Sequence, residues 1–433
     1  MANSLVLPAV FNFEIASVKI IVWGINYYPE AKGIGPFNTD LCAFLTERGH
    51  EVTMLTAFPY YPEWRKREAD QGKLYEREKL QGVTVCRCWH YVPDKLTPLT
   101  QYLHELSFVA TSTLRALFMP RANVYIVVSP SLFLGLGATL VRWLRWRKIV
   151  FHVQDLQPDS ALGLGTLKPG PAARALSMLE KWSYARASLV TGISQGMMTA
   201  FRTKGVRPEK TYLFANWVPD GDATELPTSP VSFRAAHGIE AEIPLIAYSD
   251  NLDLNQGLEV VVETAALVEK SAEAKQPALR WAICGEGSAK TALQEIIART
   301  GCGGVRLYPL QPDDLNQALL READVCLLMQ PKGTGRYSFP SKLLSILQQG
   351  CAVLAVADES SELARVVREG AFGLVVAPGD APALLEAVKK MAFAGRAQHR
   401  LWSTNGFAWV DQFRRSQVLE AFEQRLGELC KRR

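Results

Sequence analysis

Long hydrophobic runs are missing from this 433-residue chain, and no apolar segment reaches the roughly 20 residues that a membrane-spanning helix needs. The best approach, "SLFLGLGATLVRWLRW" at 131–146, is short and ends in charge. The first residues, "MANSLVLPAVFNFEIASV", lack the basic start and small-residue cleavage site of a signal peptide, so residues 1–18 read as an extension. Cysteines number eight but are scattered. Cys86 and Cys88 lie two apart on one face of an alternating strand, which fits ordinary packing, and no further ligands at metal-site spacing accompany them. No metal is therefore expected, and a reducing cytoplasm is the expected compartment. Signatures of nucleic-acid-binding modules are also lacking, so nucleic acid is not an expected partner.

What is present is length enough for two domains of about 200 residues, with the 48% hydrophobic and 21% charged composition of a globular protein. The net charge of +5 hides an asymmetry, because residues 1–217 hold 25 Lys plus Arg against 16 Asp plus Glu. A basic half suggests an anionic partner such as a membrane surface or a phosphorylated lipid.

Short apolar runs alternate with helical patterns. "SVKIIVWGINYYP", "HEVTMLTAF", "GVTVCRCWHYV", "NVYIVVSP", "RKIVFHVQD", "ASLVTGIS" and "KTYLFAN" read as strands over 19–217, and "IPLIAYSD", "LRWAICGEG", "GVRLYPL", "VCLLMQP", "CAVLAVAD" and "FGLVVAP" over 243–408. Residues 218–242 are rich in Pro, Gly, Asp and Thr and read as a linker. Strands separated by helices imply an α/β class, with two tandem Rossmann-like doubly wound domains that face an interdomain cleft. The helical stretch 409–433 has no place in the second sheet and is expected to pack across the domain junction.

Several positions could carry chemistry. Gly33 and Gly35 follow the first strand and precede a helix, where bare backbone amides could approach a phosphate or simply make a tight turn. Asp155 stands just past the end of a strand, as a substrate-orienting carboxylate would, or as a loop Asp capping the next helix. His152 alternates inward and reads as a packed core histidine. Gly285 and Gly287 make a second strand-to-helix turn. Pro340 at a helix entrance, followed by Ser341, Lys342 and Leu343, offers unpaired N–H groups to an anion. Arg336, Lys342 and Lys332 could supply the positive charge that the loop "YSDNLDLNQGLE" at 248–259 lacks. In that loop Asn251 and Gln256 can still hydrogen-bond a sugar or phosphate. "PYYPEWRKR" at 59–67, with Tyr60, Trp64 and Arg65, is dense in aromatics and charge and is expected to contact an acceptor. "RWLRWRK" at 142–148 could rest on lipid headgroups, or pack its tryptophans inward.

Taken in order, "GINYYPEAKGIGPFN", "HEVTMLTAFPYYPEW", "HELSF", "HVQDLQPDSALGLG", "LFANWV", "YSDNLDLNQGLE", "YPLQPDDLNQALLREADVCLL", "PSKLLSILQQG" and "GLVVAPGD" resemble GT-B glycosyltransferases of family 4, of the colanic acid fucosyltransferase type. The resemblance covers about residues 19–425. It implies metal-independent, retaining transfer of a hexose or deoxyhexose from a nucleotide-diphosphate sugar, GDP- or UDP-linked, used as co-substrate with no other cofactor. The acceptor domain would come first and the donor domain second. A polyprenyl-diphosphate-linked glycan at the inner face of the cytoplasmic membrane is the implied acceptor. Gly35 would approach the donor phosphates, the "PSKLL" helix start would meet the pyrophosphate, Ser345 lies where a ribose-binding glutamate commonly sits, and the backbone at Tyr308 to Leu310 would border the base.

The departures lie in the same motifs. Gln154 replaces the His of the family's His-Asp pair, whose Asp is matched by Asp155. Tyr337 and Ser345 replace paired glutamates, Asp250 and Asp253 stand where glycines are expected, and Asn255 replaces a Lys. Two carboxylates near a pyrophosphate would each oppose it by roughly 2–3 kcal/mol at about 6 Å and an effective dielectric of about 20. That acidic loop leaves open a non-catalytic relative serving as a scaffold subunit; the alternative acceptor is a soluble small molecule, which would leave "RWLRWRK" without an anionic partner. A nucleotide-sugar isomerase would need acid and base residues beyond Asp155.

Overall fold

Mostly hydrophobic runs of three to seven residues become the strands of two largely parallel sheets in the computed structural model, which describes residues 17–431 except 96, 164, 166, 222–230, 272–278 and 336–338. The chain divides into two units, one made of residues up to Asn216 plus those from Ser416 onward, the other of Trp217–Arg415.

The first unit holds β1 (Lys19–Trp23), β2 (Glu51–Ala57), β3 (Tyr75–Leu80), β4 (Val83–Cys88), β5 (Val124–Val128), β6 (Lys148–Val153), β7 (Leu189–Gly192) and β8 (Thr211–Leu213). Its helices are α1 (Gly35–Glu47), α2 (Pro98–Phe118), α3 (Leu134–Arg145), α4 (Gln157–Gly163), α5 (Pro171–Arg186) and α6 (Gln195–Thr203). The sheet order is β3-β4-β2-β1-β5-β6-β7-β8. Central β5, "VYIVV", is buried at every residue, as a strand covered on both faces must be.

One strand departs from the sequence reading. β3, "YEREKL", pairs antiparallel with β4 through a turn in which Gln81 and Gly82 both have positive φ. Its Glu, Arg and Lys side chains hide it from any search for apolar runs, and they suit an edge strand, where charge blocks further pairing.

The second unit starts with α7 (Phe233–His237), a helix inside the stretch read as linker. Its Phe233 is buried and its Arg234 pairs with Asp324 at 3.0 Å. There follow β9 (Leu245–Ser249), α8 (Glu259–Ser271), β10 (Arg280–Cys284), α9 (Lys290–Thr300), β11 (Val305–Tyr308), α10 (Asp313–Glu322) and β12 (Val325–Met329). Next come α11 (Lys342–Gln348), β13 (Val353–Val356), α12 (Glu362–Gly370), β14 (Gly373–Val376), α13 (Ala381–Ala392) and α14 (Arg396–Val410). All six strands are parallel, in the order β11-β10-β9-β12-β13-β14.

The C-terminal stretch read as one helix is two. Arg415 N donates to Val218 O and Val218 N donates to Phe413 O, and this bridge ends α14 before α15 (Arg415–Lys431) begins. From Ser416 on, α15 belongs to the first unit. Phe422 stacks on Phe214 at 3.8 Å, and buried Glu423 accepts from Arg48 and pairs with His50, both at 3.0 Å.

Candidate functional site

In each sheet the strand order reverses beside one strand, and the loops that leave the strands' carboxyl ends there diverge to form a crevice. For the second unit this place lies between β9 and β12. The loop after β9 begins at Asp250, and the segment after β12 leads to α11, whose first residue is Lys342. Lys342 Nζ lies 2.6 Å from Asp250 Oδ1 and donates to Ser249 O at 2.9 Å. The charge missing from the acidic loop is thus supplied from 92 residues further along the chain. Both partners of the pair remain partly exposed to solvent.

Backbone geometry holds this loop in place. Asp250 N donates to Cys284 O, Leu252 N to Glu286 O, and Ala289 N to Leu252 O. The loop backbone packs so closely on the turn after β10 that a Cβ on Gly285 would lie 2.0 Å from Asp250 O, and one on Gly287 2.3 Å from Leu252 O. Those glycines are therefore required by loop packing. Tyr248 Oη donates to Asn251 O at 2.9 Å, and burial together with Asp250 and Asp253 pushes its pKa up. Asn251 is exposed, and Gln256 is half-buried at the foot of the loop with its Oε1 unpartnered.

The helix start at 340–343 differs in part from the expectation of open amides, since the Leu343 N–H is engaged. Leu343 N donates to Pro340 O and Leu344 N to Ser341 O, both at 3.1 Å, so a tight turn into α11 engages these two amides. Ser341 is half-buried and offers no side-chain cap. Leu343 is wholly buried, so its side chain is core, whereas Ser345 is exposed. Leu310 is exposed beyond Tyr308, whose ring packs against Phe233 and His237. Arg336 and Tyr337 lie outside the described residues.

The corresponding place in the first unit lies between β1 and β5. Gly33 is exposed with φ +66°, and Gly35 opens α1 where a Cβ would lie 2.7 Å from Glu30 O. Local backbone needs account for both. The organising group is Glu30, which the motif reading passed over. Its Oε1 accepts from Tyr60 N at 2.9 Å and Tyr61 N at 3.0 Å, and its Oε2 accepts from Asn26 at 2.8 Å. Burial raises its pKa against the pull of those donors.

Tyr60 is buried, and its ring is boxed by Trp64, His90 and His104, with centroids 4.6–5.3 Å away. It can order the loop more readily than touch an acceptor. Trp64, half-buried with φ +52°, and exposed Arg65 remain accessible. His104 belongs to the "HELSF" motif, whose next residue, Glu105, is also buried. Burial pushes the Glu105 carboxyl up to about 7 and both histidines down.

Past β6, His152 is neutral core, its pKa lowered to about 3 by burial. Its Nδ1 pairs with Thr191 Oγ1 at 2.8 Å and its Nε2 with Gln154 Nε2 at 2.7 Å, while Gln154 also donates to Asn216 at 3.1 Å. Asp155 Oδ1 accepts from Ser160 Oγ at 2.7 Å, the bond of a loop residue that tethers the following helix, and burial raises its pKa. Asp159 instead pairs with Lys204, which also reaches buried Glu180. Among the described residues no cluster of His, Cys, Asp or Glu could hold a metal ion.

Comparison with known proteins bears on both units. Residues 32–217 match the family model of a glycosyl transferase 4-like domain, and residues 232–406 that of glycosyl transferases group 1. The chain is 32% identical over 387 residues to the putative colanic acid biosynthesis glycosyl transferase WcaI of Escherichia coli K12, covering 86% of this chain and 92% of that protein. Among solved structures, sucrose-phosphate synthase from Thermosynechococcus elongatus superposes with a TM-score of 0.72 at 17% identity, over 95% of this chain and 98% of that one. Anabaena HepE, solved with UDP and glucose, gives 0.66 at 16% identity over 95% and 100% of the two chains.

Proposed function

The chain belongs to the GT-B glycosyltransferases that join a 4-like domain to a group 1 domain, and from that premise we propose that it transfers a hexose or deoxyhexose from a GDP- or UDP-linked donor, with retention and without a metal, to a glycan of exopolysaccharide synthesis. The contact that carries this reading is Lys342 bridging Asp250 and Ser249. An ammonium held at the carboxyl ends of β9 and β12 stands where a parallel sheet presents its ligand. There it can exchange a carboxylate partner for a pyrophosphate oxygen. The bond between the anomeric carbon and the diphosphate would break through an oxocarbenium-like state, with the leaving charge stabilised by fixed donors. Lys342 leads these, joined by Arg336 on the strength of its position in the sequence.

Asn251 and Gln256 would hydrogen-bond the donor, the exposed Ser345 the ribose, and the backbone near Leu310 the base. Asp155 would orient the acceptor hydroxyl, with Trp64 and Arg65 at the acceptor. A polyprenyl-diphosphate-linked acceptor would place the reaction at the inner face of the cytoplasmic membrane. Support comes from the relative's role in colanic acid synthesis and from the basic N-terminal half.

Calorimetric titration with a panel of nucleotide sugars tests the donor. Binding of one of them in the micromolar range is expected, and Lys342→Ala should lower turnover at least about 100-fold while the circular dichroism spectrum is unchanged. No binding of any donor at millimolar concentration would overturn the reading in favour of a scaffold, and an unchanged rate in the variant would remove Lys342 from the mechanism.

A further inference from the structure

We infer that the outer face of α2, α3 and α5 in the first unit is a docking surface for an anionic lipid bilayer, into which apolar side chains insert to the depth of the headgroups. This deepens the membrane contact of the proposed function, but it rests on side chains that take no part in donor binding.

α2 packs beside α3, and α3 beside α5. On α2 the residues turned to solvent include Leu99, Leu103, Leu106, Leu114 and Phe118, which follow each other at helical spacing along one stripe. Phe118 is 75% exposed and Leu99 69%. α3 continues the surface with Leu136, Leu140, Leu144 and Trp143, the last 71% exposed. Trp146, the C-cap of α3 at φ +54°, closes the helix through its N–H on Arg142 O at 2.8 Å and leaves its side chain 89% exposed. α5 adds Met178 and Trp182. Isolated exposed apolar residues are ordinary, but stripes on adjacent helices are not.

Charge decides the occupant. The three helices contain two acidic residues, Glu105 in α2 and Glu180 in α5, and both are buried. Exposed or half-buried cations are Arg115, Arg142, Arg145, Arg174, Lys181 and Arg186. A surface of Leu, Trp and Arg with no exposed carboxylate matches a negatively charged headgroup layer, where aromatic rings and basic heads settle together. Leu, which dominates this face, is under-represented among the anchors of protein–protein contacts. No described helix is long and apolar enough to cross a membrane, so the contact is one of lying on the surface.

Cosedimentation of the full chain with phosphatidylcholine vesicles, with and without roughly 30 mol% phosphatidylglycerol, tests the inference. Binding should require the anionic lipid, weaken at high salt and blue-shift tryptophan emission, with quenching by brominated lipid. The double variant Leu106→Glu and Phe118→Glu should lose about tenfold in partitioning, and Trp143→Ser with Trp146→Ser should remove most of the quenching, leaving that of Trp182. Leu401→Glu, on α14 of the second unit, should bind as the parent does. An unchanged circular dichroism spectrum and an unchanged cooperative melting transition in all variants show that they fold. Absence of vesicle binding, undiminished binding by the double variant, or a concentration-dependent dimer that the double variant dissolves would each overturn it. Because the vesicles carry neither donor nor acceptor, that failure would leave turnover untouched, and loss of turnover in Lys342→Ala would leave vesicle binding untouched.

Discussion

Asp250 is the residue at which this chain's behaviour turns. A carboxylate at this loop opposes a pyrophosphate, yet it also holds Lys342 at 2.6 Å in a fixed place. On the proposed reading, a diphosphate that reaches Lys342 competes with Asp250 for the ammonium. Asp250→Asn removes the competitor, and since the pair is partly exposed its worth is about 1 kcal/mol. Nucleoside diphosphate affinity should then rise about fivefold in calorimetry, and a fall would mean that the ion pair preorganises the site. Glu105 gives a second test at this scale. Its folded pKa of about 7 lies above the unfolded value near 4.5, so the folded state binds more protons between those limits. Stability is then highest below about pH 4.5 with respect to this group and is lost as pH rises through about 7, by on the order of 3 kcal/mol. Glu105→Gln should raise Tm by several degrees at pH 8 and hardly at all at pH 4.5, read by differential scanning calorimetry. "HELSF" was visible in the sequence, but the burial that lifts this carboxyl was not.

At the scale of elements, Arg145 shows how one side chain serves two helices. It lies in the last turn of α3, and its Nη1 donates to Ala116 O, Leu117 O and Met119 O at 2.7–2.9 Å, closing the C-terminus of α2. Those carbonyls have no partner within their own helix end. Arg145→Ala should cost about 1–3 kcal/mol in chemical denaturation, with Arg145→Lys intermediate because it keeps the charge but loses the planar fork. Strands were legible because parallel strands buried on both faces need continuous apolar runs, and "VYIVV" or "VCLLM" admit little else. β3 was not, since an edge strand tolerates charge. α7 escaped notice because its helicity comes from Phe233 and Arg234 anchoring onto β11 and Asp324, contacts that no five-residue pattern reveals.

At the scale of the whole molecule, the first unit is discontinuous in sequence. α15 returns to it and buries Val418, Leu419, Phe422 and Leu426 there, besides pairing Glu423 with His50. Each large side chain contributes about 2 kcal/mol, a sum comparable with the roughly 5–15 kcal/mol that holds a domain together. A chain ending at Arg415 should therefore lose the folded first unit, whereas residues 217–415 expressed alone should give a dispersed NMR spectrum. Folding of the shortened first unit without α15 would contradict this.

The alternation of apolar runs with helical segments by itself determined two doubly wound α/β domains, because burying a parallel sheet on both faces leaves one solution for such a pattern. Ordered motifs also determined the family, since several weak signals in fixed order are jointly specific. Only the tertiary structure decided which charges meet. Lys342 and Asp250, Arg145 and the end of α2, and Glu423 and His50 are each brought together by folding across long stretches of chain, and ion pairs and caps depend on distances of a few ångströms that no spacing in the sequence encodes.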